Sequence, residues 1–180
     1  MTLGRSLLLP LVALIIPAAS LHAQNQNSDR QKPITVEADG VTYKDITQTS
    51  LFTGKVILTQ GSMMIQADQM ETVTDPEGYQ FATASMTNKS GMVKFSQKRE
   101  GSNEIIKAQA NKLIYDGKQN IIVLSDRAQM QRFSPNGKLI DQINGDELVY
   151  NQLTEVFESH TLAGVPGRTR VVITPASKTN

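Results

Sequence analysis

The chain contains no cysteine and no tryptophan, and aromatic residues make up only 5% of its 180 positions. Without cysteine it cannot form a disulfide framework, a thiolate metal site or a lipid-attached N-terminus. Histidine is almost absent too, because only His22 and His160 occur. A phosphate-binding glycine loop and a Gly-x-Ser-x-Gly elbow are also missing. We therefore expect a protein that is not an enzyme and that uses no cofactor and no metal.

An excess of one charge is missing as well. The chain has 18 lysine and arginine residues against 17 aspartate and glutamate residues, a formal net charge of +1. Binding to nucleic acid needs a basic stripe that neutralises phosphates, and long-range attraction to anionic membranes needs a net positive charge. We therefore expect no nucleic-acid partner.

The long apolar run of the chain lies at its N-terminus. Arg5 precedes an apolar stretch that Pro10 and Pro17 interrupt, and Leu21-His22-Ala23 ends in a small residue. This pattern is typical of a secretory signal cleaved after Ala23, and the run is too short to cross a bilayer. We predict a cleaved signal peptide over 1–23, a flexible segment over 24–32, one domain over 33–175 and a flexible tail over 176–180.

A short phrase recurs four times in the chain: a small residue, an Asp or Asn, and a hydrophobic residue two positions later. The copies are Ala38-Asp39-Gly40-Val41-Thr42-Tyr43, Ala67-Asp68-Gln69-Met70, Ala110-Asn111-Lys112-Leu113-Ile114-Tyr115 and Gly145-Asp146-Glu147-Leu148-Val149-Tyr150. Two-residue alternation predicts a strand, and an Asp or Asn after a small residue predicts a corner, because its side chain can bond its own backbone. The repeat predicts a strand-bend-strand unit stacked on itself, and hence an extended surface.

From Ile34 onward, short alternating segments are separated by turns rich in Gly, Pro, Asn and Asp, and no window sustains a helical period. Hairpin connections predict sequential antiparallel pairing of about a dozen strands. We therefore predict an all-β, antiparallel domain. The predicted strands include Ile34–Ala38, Lys55–Gln60, Ser62–Ala67, Val93–Gln97, Ile105–Ala110, Ile121–Ser125, Ala128–Arg132, Leu139–Asn144, Val156–Thr161 and Arg168–Thr174.

Strand parity separates an apolar face from a polar face. The apolar face holds Ile34, Val36, Ala38, Val56, Leu58, Met63, Ile65, Ala67, Val93, Phe95, Ala128 and Met130. Ile57 and Met64 are exceptions, because the same parity places them on the polar face. Two interpretations of the apolar face remain open: a closed sandwich core, or two layers whose small and flexible side chains leave room for a ligand.

Three stretches carry a resemblance to a known family: Phe52-Thr53-Gly54-Lys55-Val56-Ile57-Leu58-Thr59-Gln60-Gly61, Ile65-Gln66-Ala67-Asp68 and Gly145-Asp146-Glu147-Leu148-Val149-Tyr150. Over about 33–175 the chain resembles the OstA-like domain family of periplasmic lipopolysaccharide transport proteins. The resemblance implies a slightly twisted, V-shaped β jelly roll of two facing sheets, open at both ends. It also implies that the acyl chains of lipopolysaccharide lie in a hydrophobic groove between the sheets.

The resemblance, combined with strand parity, implies a set of lipid-binding residues: Ile34, Val36, Phe52, Val56, Leu58, Met63, Ile65, Val93, Phe95, Ile106, Leu124, Met130 and Ile143. It implies partners in a bridge that carries lipopolysaccharide from the inner to the outer membrane. These are further copies of the chain stacked end to end, an inner-membrane partner of the LptC type and an outer-membrane partner of the LptD type.

The first and last strands are the expected contacts for such stacking, through Ile34, Thr35, Val36, Arg168, Arg170, Val171 and Ile173. Two free edges that join head to tail build an open filament. Without the family resemblance, Arg168 and Arg170 are better explained as edge charges that prevent aggregation. Two other functions remain as alternatives: a structural β filament with a filled core, and a monomeric periplasmic carrier of lipids or lipoproteins with a lidded cavity.

Overall fold

The computed structural model describes residues 29–88, 90–161 and 168–175. The predicted signal peptide and C-terminal tail lie outside the described residues. A short 3-10 turn, Asp29–Gln31, precedes twelve strands. They are β1 (Ile34–Glu37), β2 (Gly40–Lys44), β3 (Thr49–Gln60), β4 (Met63–Thr74), β5 (Gln80–Ser85), β6 (Val93–Lys98), β7 (Ile105–Ala110), β8 (Lys112–Asp116), β9 (Ile121–Phe133), β10 (Leu139–Asn151), β11 (Val156–His160) and β12 (Arg170–Ile173).

The strands form one sheet that folds over into two layers. Strands β3, β4, β9 and β10 are twelve or thirteen residues long. Each pairs with one neighbour along both halves of its length, and on its other side it pairs with one strand in the first half and another in the second half. Layer 1 contains β1, 56–60 of β3, 63–67 of β4, β6, β7, 128–133 of β9, 139–145 of β10, and β12. Layer 2 contains β2, 49–53 of β3, 69–74 of β4, β5, β8, 121–125 of β9, 147–151 of β10, and β11.

The chain passes between the layers eight times, in alternating directions: β1 to β2, β3, β4, β5 to β6, β7 to β8, β9, β10, and β11 to β12. Every pairing joins two consecutive passes and is antiparallel. The prediction of sequential antiparallel pairing is therefore confirmed, except that the sequential order is that of the passes and not that of the individual strands. The fold is an all-β, jelly-roll-like meander folded in half.

The Asp or Asn of each repeat lies where its pass turns from layer 1 to layer 2, and we call this line of corners the spine: Asp39, Asp68, Asn111 and Asp146. The bonds at the spine differ from our expectation, because they run to the next pass and not to the residue's own backbone. The amide of Asp39 donates to the carbonyl of Gly54 at 2.9 Å. The carboxylate of Asp68 accepts from the amide of Thr87 at 3.1 Å.

The two continuous strands that run in the opposite direction, β3 and β9, turn by backbone irregularities. In β3, Gly54 and Lys55 have φ values of 79° and 46°, and the pairing register shifts between Thr53 and Val56. In β9, Asp126 and Arg127 have φ values of 63° and 55°. The separate strands predicted at Ile121–Ser125 and Ala128–Arg132 are therefore the two halves of one strand. The predicted strand Lys55–Gln60 is likewise only the second half of β3.

The two layers pack face to face around one cluster of apolar residues. Phe95 of layer 1 meets Tyr150 of layer 2 edge to face, with ring centroids 6.4 Å apart, and Tyr150 stacks on Phe157 at 4.4 Å. The predicted apolar face is confirmed except at Ala38, which is exposed beside the spine. Met64 lies on the outer face, as expected, and is 37% exposed.

Candidate functional site

The interior is built from rows of directly paired residues that cross a whole layer. In layer 1 one row runs through Val36, Leu58, Ile65, Phe95, Ala108, Met130, Ile143 and Val171. In layer 2 the facing row runs through Val41, Phe52, Met70, Ala84, Leu113, Leu124, Leu148 and Ser159. Each row extends from the first pass to the last. The layer 1 row is apolar at every position, and the layer 2 row is apolar up to Leu148 and ends at Ser159.

A second row of layer 2 explains the repeat seen in the sequence. It runs through Tyr43, Ser50, Thr72, Ala82, Tyr115, Ile122, Tyr150 and Phe157. The last position of every repeat, which is Tyr in three copies and Thr72 in the other, falls in this row. Since the spine fixes the start of each copy, equal spacing brings these residues side by side.

All thirteen residues that we expected to bind lipid face the interior. Nine are at most 4% exposed: Val56, Leu58, Met63, Ile65, Val93, Phe95, Ile106, Leu124 and Met130. The other four are half-buried against the same cluster: Ile34, Val36, Phe52 and Ile143. The structure thus brings the set together in one place.

The structure differs from the expected unfilled groove, because side chains occupy the middle of the interior. Residues there are between 0% and 7% exposed, which leaves no continuous space for an acyl chain in this conformation. A depression of about 300 Å³ lies on the outer face of layer 1, among Gln66, Lys94, Lys107 and Gln129. A lipid can enter the interior only if the layers move apart.

Sequence reasoning missed most of the layer 2 lining. Met70, Leu113, Tyr115, Leu148 and Tyr150 are each at most 4% exposed and belong to the same cluster. These residues stand at the hydrophobic and tyrosine positions of the repeat. The repeat predicts a strand after each corner, but the expected lipid-binding set does not include the residues of that strand.

The interior remains exposed at both ends of the domain. At the first pass, Val41 and Tyr43 end the two layer 2 rows and are 63% and 56% exposed. At the last pass, Val171 ends the layer 1 row and is 52% exposed, and Ile173 beside it is 74% exposed. Apolar side chains at the ends of a continuous core indicate a surface that is completed by another molecule.

Both ends also present free strand edges within the described residues. Strands β1 and β2 pair only with β3, and strands β11 and β12 pair only with β10. The expected contacts Ile34, Thr35 and Val36 lie on the first edge, and Arg170, Val171 and Ile173 lie on the last. Arg168 is exposed just before β12. Each end therefore has two backbone edges, one in each layer, that can accept a further strand.

The hairpin turns lie opposite the spine, and we call this side the mouth. Layer 1 contributes turns 61–62, 99–104 and 134–138, and layer 2 contributes turns 45–48, 75–79, 117–120 and 152–155. In the described residues, the buried polar side chains are three glutamines near the mouth: Gln60, Gln97 and Gln152. The Nε2 of Gln152 in layer 2 donates to Oε1 of Gln97 in layer 1 at 2.9 Å. The mouth is thus closed by polar contacts between the layers.

Ion pairs add to this closure. Arg99 of layer 1 contacts Glu104 at 2.6 Å and also Glu155 of layer 2. Burial by itself lowers the pKa of Arg99, but hydrogen bonds to Glu155 and Glu104 outweigh burial and raise it above its ordinary value. Burial, together with the charge of Glu155, raises the pKa of Tyr150 to about 12. Tyr150 therefore stays neutral behind the closed mouth.

The described residues form neither a metal-binding cluster nor a membrane-spanning helix. Within 29–88, 90–161 and 168–175, no group of three His, Cys, Asp or Glu residues is placed to hold a metal ion. Among the same residues, no helix has the length and apolarity needed to cross a bilayer. The repeated Asp and Asn residues lie along the spine.

Comparison with known proteins identifies the family. The family model described as LptA/(LptD N-terminal domain) LPS transport protein matches residues 35–156. The chain belongs to this family. The match runs from β1 to the start of β11, so it contains twelve of the thirteen expected lipid-binding residues, Ile34 being outside it.

Two relatives within the family have curated names. The chain is 28% identical over 133 residues to the lipopolysaccharide export system protein LptA of Escherichia coli (strain K12), covering 74% of this chain and 67% of that protein. It is 26% identical over 140 residues to the lipopolysaccharide export system protein LptH of Pseudomonas aeruginosa, covering 76% and 73%.

A solved structure supports the fold. The crystal structure of P. aeruginosa LptH, titled as the LptA homologous periplasmic component of the lipopolysaccharide transport device, matches with a TM-score of 0.72. The match covers 82% of this chain and 99% of LptH at 24% identity. The all-β jelly-roll-like fold expected of an LPS transport protein is therefore confirmed for this family member.

Proposed function

We propose that this chain is a periplasmic, non-enzymatic carrier that holds the acyl chains of lipopolysaccharide between its two layers. In this role it forms part of a bridge from the inner to the outer membrane. Family membership supports the cargo, since two named relatives are lipopolysaccharide export proteins. The observation that carries the proposal is the apolar interior, whose layer 1 row runs unbroken from one exposed end to the other.

The cargo itself requires such an interior. Exposing an acyl chain of about twelve methylenes to water costs about 10 kcal/mol, at about 0.8 kcal/mol for each methylene. Lipopolysaccharide has several such chains, so it must remain in apolar surroundings throughout its path across an aqueous compartment. A strip of equivalent contacts suits this task, because no single deep site retains the lipid.

The filled interior sets a condition for this function. Acyl chains must replace contacts that the two layers now make with each other, so the layers must separate. The lining favours this exchange, because Met63, Met70 and Met130 have flexible side chains that repack easily. Small residues such as Ala84 and Ala108 leave shallow positions between the larger ones.

The free edges support stacking of copies end to end. The first pass runs from layer 1 to layer 2 and the last runs from layer 2 to layer 1. The last pass of one copy can therefore pair antiparallel with the first pass of another and continue both layers. Such a contact is heterologous and does not close. The same two edges are the proposed docking sites for an LptC-type partner at the inner membrane and an LptD-type partner at the outer membrane.

Binding of intact and deacylated lipopolysaccharide to the mature protein tests the proposal. We expect intact lipopolysaccharide to copurify with the protein and to be displaced by an excess of intact competitor. The deacylated form, which keeps the saccharide but has lost the acyl chains, should not compete. Equal competition by both forms would place the binding site outside the apolar interior and refute the proposal.

One observation favours a second candidate function, a structural filament with a permanent core. The side chains in the middle of the interior are at most 7% exposed, as in an ordinary sandwich core. Such a protein would form concentration-dependent oligomers through the same edges but would take up no lipid. Measuring oligomer size and lipid binding on one sample separates the two functions.

A further inference from the structure

We propose that residues 29–33, which we call the N-terminal clasp, are a removable fastening across the mouth and must release before acyl chains pass between the layers. The inference rests on the proposed function. Residues 29–32 of the clasp belong to the segment 24–32 for which we predict flexibility. In the structure they are hydrogen-bonded to both layers.

The clasp is bonded to layer 1 at the end of β3 and at the turn that follows. The Nε2 of Gln60 donates to the carbonyls of Arg30 at 2.9 Å and Lys32 at 3.1 Å. The carboxylate of Asp29 accepts from the amide of Ser62 at 2.8 Å and from its hydroxyl. Burial alone raises the pKa of Asp29, but the bonds from Ser62 and Lys32 outweigh it and lower the pKa below its ordinary value.

The clasp is also bonded to layer 2. Nη1 of Arg30 donates at 2.9 Å to the carbonyl of Gln152, whose side chain reaches across to Gln97 of layer 1. The hydroxyl of Tyr115, in layer 2, donates at 3.2 Å to Oε1 of the same Gln60 that holds the clasp. One polar network therefore joins the clasp, Gln60, Tyr115, Gln152 and both layers.

The topology makes the mouth the side that can open. At the spine, strands β3, β4, β9 and β10 run continuously from one layer to the other, so the layers cannot part at this side without breaking strands. At the mouth the layers are joined only by side chains and by the clasp in the described residues. Separation of the layers is therefore a hinge motion about the spine, and the clasp lies on the moving side.

The chemistry of the mouth suits repeated opening. A permanent core edge is most stable when apolar residues fill it, because a buried amide must keep all its partners. At this mouth the buried polar side chains, within the described residues, are the amides of Gln60, Gln97 and Gln152. When the layers part, water can replace the partners of an amide, whereas it cannot replace apolar contacts. The polar seam therefore opens more readily than the apolar interior behind it.

The first variant releases the clasp. Asp29→Ala combined with Arg30→Ala removes the bonds to Ser62 and Gln152 and leaves the thirteen interior residues unchanged. We expect lipopolysaccharide uptake, followed by the fluorescence of a labelled lipid, to become about tenfold faster. Glu71→Ala combined with Lys112→Ala, a charge-matched change of two exposed residues in strands β4 and β8 away from the mouth, is the control and should leave the rate unchanged.

The second variant fastens the mouth. Because the chain has no cysteine, Gln97→Cys with Gln152→Cys creates a unique pair across the mouth that a short, reducible thiol crosslinker can join. We expect the crosslinked protein to take up lipid at least about tenfold more slowly, and reduction to restore the rate. Gln131→Cys with Gln142→Cys, side chains 2.7 Å apart on the outer face of layer 1, is the matched control.

The outcomes separate this inference from the function on which it rests. If the wild-type protein takes up no lipopolysaccharide, the proposed function fails and the clasp proposal fails with it. If the wild-type protein takes up lipid and both mouth variants do so at the wild-type rate, the function stands and the clasp is refuted. Faster uptake after clasp release and slower uptake after crosslinking support both.

Discussion

Replacing Phe95 by alanine separates a residue that only fills the core from one that lines a lipid site. Phe95 is 2% exposed and its ring reaches from layer 1 to Tyr150 of layer 2. Truncation of a buried phenylalanine costs about 3–5 kcal/mol of the free energy of unfolding. With a urea m-value of about 2 kcal/mol/M, the unfolding midpoint of the lipid-free protein should fall by about 2 M.

Lipid should reduce this cost if acyl chains occupy the interior. Two or three methylenes that fill the cavity left by the ring would recover about 2 kcal/mol. The difference in unfolding free energy between wild type and Phe95→Ala should therefore shrink by about half when lipopolysaccharide is bound. Binding stabilises both proteins, so the informative quantity is the difference between them and not either midpoint alone.

Urea unfolding followed by circular dichroism, with and without saturating lipopolysaccharide, measures that difference. Phe81→Ala is the control, because Phe81 is half-buried on the outer face of layer 2 and its cost should not depend on lipid. If the cost of Phe95→Ala is the same in both conditions, acyl chains do not reach Phe95. The assignment of the interior as the lipid site would then be wrong.

Three further predictions follow from local geometry. Gly54→Ala should lower the free energy of unfolding more than Gly78→Ala does. Both glycines have a positive φ, 79° and 89°, but the new Cβ at Gly54 lies 2.6 Å from a carboxylate oxygen of Asp39, whereas Gly78 has no neighbour within 4 Å. We expect about 1–2 kcal/mol for the positive φ alone, measured by urea unfolding. The folded protein favours the neutral phenol of Tyr150, whose pKa is raised from 10 to about 12. The contribution of this phenol to the free energy of unfolding is therefore complete below pH 10 and is lost as the pH rises from 10 to about 12. The free energy of unfolding of the wild type should fall by about 3 kcal/mol over that range, and that of Tyr150→Phe should fall by less. Identical profiles of unfolding free energy against pH for the two proteins would contradict this prediction. Val171→Asp should abolish concentration-dependent oligomers in sedimentation with little change in stability, because Val171 is 52% exposed at the last edge; Leu153→Asp, at an exposed turn, should leave the oligomers intact.

The sequence predicts the faces and the corners well. Alternation along β3, β4 and β6 is regular, so parity alone places Leu58, Ile65 and Phe95 inside and Met64 outside. The corners are predicted because the repeat holds a small residue before Asp or Asn each time. Local alternation decides the faces, since side-chain direction in a strand depends only on position along it. The corners lie where the repeat predicts them, but their bonds run to the next pass and not to the residue's own backbone.

The state of the interior could not be predicted from the same pattern. An apolar face has the same alternation whether it packs against its own second layer or against a lipid. The second layer was underestimated because Lys55 and Asp126 continue their strands at positive φ, a conformation that their residue types do not announce. The docking of Asp29 and Arg30 depends on partners far along the chain, Ser62 and Gln152, so local composition predicts only a polar segment.

Site-specific photocrosslinking at two adjacent residues tests most directly whether acyl chains lie between the layers. Ile143 faces the interior from the layer 1 row, and its neighbour Gln142 faces outward and bonds Gln131. Both positions are half-buried and can accept a photoreactive side chain. We predict strong crosslinks to lipopolysaccharide from position 143 and none from position 142. Crosslinks from position 142 alone would contradict the account.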